Sequence, residues 1–109
     1  MIGALFEFNG EIIEVRINGL SIYFRNTSTN GMFAPLESLQ LSREGTIKEW
    51  PDLKDNSEWR TVAIQRFKDK MKQINDEDKQ MNFIIEDLKK FGYIPRIKQR
   101  AGFRAEKIK

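Results

Sequence analysis

Six cations lie between residues 96 and 109, and they alternate with apolar groups: Arg96, Lys98, Arg100, Arg104, Lys107 and Lys109 are interleaved with Ile97, Phe103 and Ile108. Cations neutralise phosphates and an aromatic ring stacks on a base, so this stretch holds the minimum for contact with single-stranded DNA or RNA. Ala101-Gly102 gives its backbone a flexible point. The residues expected to carry such binding are Arg96, Lys98, Arg100, Phe103, Arg104 and Lys107. The same charges suit an acidic protein surface, and the plainer reading is a solvated arm. A second group, Arg16, Tyr23 and Arg25, falls on one predicted sheet face and extends the basic surface, as aromatics on small barrels do in oligonucleotide binders. Glu7, Glu11 and Glu14 lie in the same predicted sheet and oppose a phosphate backbone.

The remaining residue types narrow the chemistry. With no Cys and no His, the chain lacks thiolate nucleophiles, disulfides, Cys/His zinc sites and imidazole bases. Pro51-Asp52 followed by Glu58-Trp59-Arg60 superficially resembles the carboxylate-and-lysine arrangement of metal-dependent nucleases. The match fails because Arg60 stands where a lysine is needed and does not readily shed a proton. Asp76-Glu77-Asp78 needs only a helix N-terminus to explain it. The seven glycines are scattered singly, so no phosphate-cradling loop is present. A non-enzymatic protein without cofactor or metal is expected.

Charge and composition set the frame for these residues. Of the 109 residues, 39% are apolar and 32% charged, which suits one folded domain and offers no apolar run long enough for a bilayer. The start, Met1 to Ala4, lacks the features of a signal peptide, and a cytoplasmic protein is expected. The net charge of +3 is uneven: residues 1–93 carry 13 basic and 15 acidic groups, and residues 94–109 carry six basic and one acidic. The body is slightly acidic and its end strongly basic. Small size with abundant Lys, Ile and Asn fits a viral or microbial accessory protein.

The elements that must position these groups follow from periodicity. Asn9-Gly10, Asn18-Gly19 and Asn30-Gly31 are type I′ turn dipeptides. Between them Phe6 and Phe8, then Ile13, Val15 and Ile17, then Leu20, Ile22 and Phe24 recur with a period of two, as in a half-buried antiparallel sheet. Met32-Phe33-Ala34 reads as a fourth short strand ended by Pro35, and Thr46 to Trp50 as a last one. Leu36, Leu39 and Leu41 pack, and Arg43-Glu44-Gly45 turns. Trp50 and Trp59 flank the junction with the helical half and are expected to cement it.

From about residue 57, capped by Asp55 or Ser57, Trp59, Ala63, Phe67, Met71 and Ile74 form one helical stripe and Met81, Ile84, Ile85, Leu88 and Phe91 another. Gly92, Ile94 and Pro95 stop the second. A break at Asn75 to Asp78 gives a helical hairpin; the alternative is one long helix in a dimeric coiled coil, since a 3-4 spacing also runs unbroken through the segment. The fold class is therefore α+β: an antiparallel meander or small SH3- or OB-like half-barrel over residues 1–50, helices over 57–92, and a basic tail over 96–109 outside a single domain of residues 1–95. The expected function is nucleic-acid binding through that tail. The alternative is a protein-interaction module, an inhibitor or assembly factor, possibly a homodimer, acting through the helices or a sheet edge.

Overall fold

The computed structural model describes residues 2–18, 21–29, 31–42, 44–49, 58–100 and 106–107; Glu37, Glu49, Glu58, Trp59, Arg60, Arg100, Glu106 and Lys107 are followed in the backbone alone. Trp50, the Asp52 carboxylate, both cap candidates before α1, Phe103 and Arg104 lie outside the described residues. The architecture is α+β. Strands β1 (Ile2–Phe8), β2 (Glu11–Asn18) and β3 (Ser21–Asn26) form the meander, followed by β4 (Ala34–Pro35) and a small hairpin of β5 (Gln40–Leu41) and β6 (Ile47–Glu49). Helices α1 (Glu58–Lys72) and α2 (Glu77–Lys90) come next, then β7 (Ile94–Arg100) and β8 (Glu106–Lys107).

The main sheet has the order β4-β3-β2-β1-β7-β8, antiparallel throughout. Residues 96–100, expected as the start of a tail, instead belong to β7, which pairs with β1 from Ile2↔Arg100 to Glu7↔Ile94. The chain's first strand therefore lies at the centre. Among the described residues no pairing between β4 and β8 closes the sheet into a barrel.

Alternation then sorts the side chains. Ile2, Ala4 and Phe6 of β1, Ile13, Val15 and Ile17 of β2, and Ile22 and Phe24 of β3 are all buried on one face. Against that face come Ala63, Phe67 and Met71 of α1, Met81, Ile84, Ile85 and Leu88 of α2, and Leu36, Leu39, Leu41 and Ile47 of the connector. Helix α2 packs on β1, β6 and β7, and α1 on β5. Phe8 of β1 stacks on Tyr93 at 4.0 Å between ring centroids, sealing the end of the core where α2 turns into β7.

The two helices are separate, because local capping ends one and starts the other. Asp76 accepts from the Asp78 N–H at 2.8 Å and caps α2, with Glu77 and Asp78 in its first turn and Lys70 and Lys72 in the last turn of α1. Gln80 of α2, itself buried, donates to the carbonyls of Met71 at 3.1 Å and Ile74 at 2.8 Å, tying the last turn of α1 and the residues after it to α2. One continuous helix over this stretch is thus not formed. At the far end, Tyr93 N–H bonds to Leu88 O and Gly92 N–H to Lys89 O, with Gly92 at φ 91°, the paired bonds of a Schellman stop.

One buried carboxylate ties α2 to the hairpin. Asp87 is 2% exposed and accepts from the Ile47 N–H at 3.2 Å, while Lys90 lies 4.0 Å away. Burial pushes its carboxyl above the usual value, against the opposing pull of the Ile47 N–H, Lys90 and Lys70. The folded state therefore holds this proton to higher pH than the unfolded chain does. The stability it contributes is complete below the ordinary value of 3.8 and is lost as pH rises through the folded value. Asp87→Asn keeps an acceptor and removes the titration, so urea unfolding from pH 3 to pH 7 should show the variant gaining on the parent as pH rises. A difference between the two that is constant across this range would refute the assignment.

Candidate functional site

The face of the sheet opposite the helices carries the other half of each alternation, and register aligns it in rows. Ile97, Leu5, Glu14 and Arg25 stand opposite one another across β7, β1, β2 and β3. Gln99, Gly3, Arg16 and Tyr23 form the adjacent row. Both rows run from less charged side chains over β7 and β1 to charged and aromatic ones over β2 and β3. Because i and i+2 residues share a face, the rows are about 6.6–7 Å apart.

Glu14 organises the charged end. Its two oxygens each accept from an arginine Nε, Arg16 at 2.8 Å and Arg25 at 2.8 Å. The carboxylate is 14% exposed and the guanidinium-bearing side chains 41% and 38%, so the acid is shielded and the cations face outward. Both guanidinium carbons also lie over the ring of Phe33, 4.5 Å and 4.8 Å from its centroid. Two arginines held by one carboxylate and one ring keep their Nη donors without another partner among the described residues. The cluster carries one net positive charge.

Beside it is a cleft of about 540 Å³. Leu5, Ile12 and Ile97 give it apolar walls, Arg16 and Arg25 line its charged side, and Thr27 and Gln99 add polar groups. Gly3 keeps the floor open: a β-carbon there would stand 3.3 Å from Arg16 Cγ and 3.4 Å from the Val15 carbonyl.

Of the residues singled out from sequence, Arg16, Tyr23 and Arg25 are brought together on this face. Arg96 and Lys98 are not. The β1–β7 ladder shifts register between Leu5 and Phe6, where Pro95 faces Phe6 and Ile97 faces Leu5, leaving Arg96 as the additional residue. Arg96 pairs with Glu7 through Nε at 3.0 Å and through Nη2. Lys98 faces the helices, 3.5 Å from both Asp78 and Asn82 of α2. The backbones of Arg100 and Lys107 are ladder partners of Ile2 and Ile97. Cutting the chain after Ile94 consequently removes most of a strand beside the sheet's centre, and any loss of binding would report the damaged sheet.

In the sequence Glu14 reads only as a repulsive charge and Phe33 as part of a strand. Phe33 lies outside the strands, where no periodicity aims it. Among the described residues no group of acids is placed to hold a metal ion, and no helix is long and apolar enough to cross a membrane. Comparisons with protein-family models, curated proteins and solved structures give no significant match to the chain.

Proposed function

We propose that this protein is a non-enzymatic binding module that docks an acidic segment of a protein partner on the helix-free face of its sheet. The observation that carries the reading is the arginine pair, fixed through Nε by Glu14 and laid on Phe33, with side chains 41% and 38% exposed and Nη donors that have no further partner among the described residues. A pre-oriented pair of guanidinium forks matches one carboxylate well, because each fork loses little further freedom on binding.

A nucleic-acid backbone asks for something different: several uncompensated cations along one face. On this face Glu7 is paired with Arg96 and Glu14 with both Arg16 and Arg25, while Lys98 is turned to α2. Charge balance therefore favours a protein carboxylate over a polyphosphate.

Fluorescence anisotropy at physiological salt tests the choice with two labelled probes. One is a panel of extended eight-residue peptides with a single central Asp or Glu; the other is a 20-nucleotide single strand. Peptide binding in the micromolar range is expected, weakened about tenfold by Arg25→Lys, which keeps the charge and loses the fork. If no peptide binds below 1 mM, or if only the oligonucleotide binds with an affinity that falls steeply with salt, the reading is wrong.

A further inference from the structure

Resting on that reading, the geometry points to a second recognition element: we infer that the cleft over Gly3, Leu5, Ile12 and Ile97 takes one large aliphatic or aromatic side chain that the partner carries two residues from the carboxylate bound by Arg16 and Arg25. Three observations converge on it. Arg16 and Arg25 line the same cleft as Leu5, Ile12 and Ile97, so a carboxylate at the arginines lies on the rim of the apolar space. In an extended segment the i and i+2 side chains point the same way about 6.6–7 Å apart. The cleft residues of β1 lie one strand from Arg16 and two from Arg25 along the rows, about 4.8 to 9.6 Å at the usual strand spacing, so a segment crossing the strands reaches from the arginines to the cleft in that step. Gly3 sits in the row of Arg16, and its missing side chain leaves depth where a neighbouring group arrives.

The cleft volume of about 540 Å³ is within the range of pockets that enclose a whole small ligand, so it accommodates a leucine or phenylalanine side chain with room to spare. Burying such a side chain strengthens binding by roughly 10- to 100-fold. The partner so defined is an extended protein segment with the pattern acid, any residue, large apolar residue, in either direction.

Paired peptides test it, identical except for Leu or Ala two positions from the acid. On the unaltered protein the Leu peptide should bind at least tenfold more tightly. The ratio should fall towards one in Gly3→Val and, independently, in Leu5→Phe, both of which fill the cleft from the floor; circular dichroism confirms that each variant is folded. Arg25→Gln should weaken both peptides and leave the ratio intact. If Leu and Ala peptides bind the unaltered protein equally while Arg25→Gln weakens both, the cleft assignment fails and the docking face stands. If neither peptide binds, the docking face itself fails. A ratio that survives in both filled variants also overturns the cleft assignment.

Discussion

Replacing Phe6 by alanine is expected to lower the unfolding free energy by about 3–5 kcal/mol, the range for a buried phenylalanine whose cavity does not collapse. Phe6 has no exposed surface and sits in β1, the strand with β2 on one side and β7 on the other. Its ladder partners are Ile13 and Pro95, and α2 packs on the same strand. Neighbours held on two ladders and under a helix have little freedom to move inward, which places the cost at the upper end. Domains are stable by about 5–15 kcal/mol in all, so a urea midpoint should fall by a large fraction. Phe6→Leu, which retains most of the volume, should cost no more than about 1.5 kcal/mol. Equal losses for the two variants would mean that the site relaxes and that β1 is not held as described.

Gly45→Ala should cost about 3 kcal/mol, although it adds one methyl group. Gly45 closes the turn between β5 and β6 at φ 79°, with its N–H on Ser42 O, and an alanine there first meets the left-handed penalty of about 1–2 kcal/mol. The added carbon then stands 2.8 Å from Arg66 Cβ, 2.9 Å from Ala63 O and 3.0 Å from Phe67 N. These are parts of the α1 backbone and its nearest side-chain atom, and they yield only if the hairpin lifts from the helix. Gly10 isolates the first contribution, since it has φ 78° in the β1–β2 turn and nothing within 4 Å of the same added carbon. Gly10→Ala should cost about 1–2 kcal/mol. Chemical denaturation of both variants decides the matter, and comparable losses would show that the turn does not rest on α1.

How far the sequence revealed this structure depends on how local each cause is. The first hairpin was legible because Asn9 at φ 52° and Gly10 at φ 78° form the two-residue turn and Phe8 pairs with Glu11, as the dipeptide predicts. The second was legible in its faces but not its register. Asn18 ends β2 opposite Ser21, whereas a two-residue turn on Asn18-Gly19 implies Ile17 opposite Leu20. That difference moves every cross-strand pair by two. It brings Arg25, rather than Tyr23, opposite Glu14, and this is why the two-arginine cluster was hidden.

The helix break was legible from its acids, yet Gln80 bonding to Met71 and Ile74 was not, since a glutamine among apolar residues carries no mark of a cap. Strand β7 was missed for a physical reason too. Its faces meet a polar side of α2 through Lys98 and the open cleft through Ile97, so apolar alternation is weak, and Pro95 is tolerated next to an irregular step in the ladder. Charge density then made a strand look like a tail.

The central place of β1 has a consequence for biosynthesis. Glu7 and its partner Arg96 are 89 residues apart, so at a translation rate of about 5–20 residues per second the earlier one waits between roughly 4 and 18 s for the later. During that interval the nascent chain can form the β1–β2–β3 hairpins. It cannot cover the open edge of β1, and α2, which packs on it, is also incomplete. An unpaired edge with an uncovered apolar face is the form most prone to pair with another chain. Strand β1, made before every strand it pairs with, thus waits longest for its second partner, and its safety until then depends on how fast the rest is made.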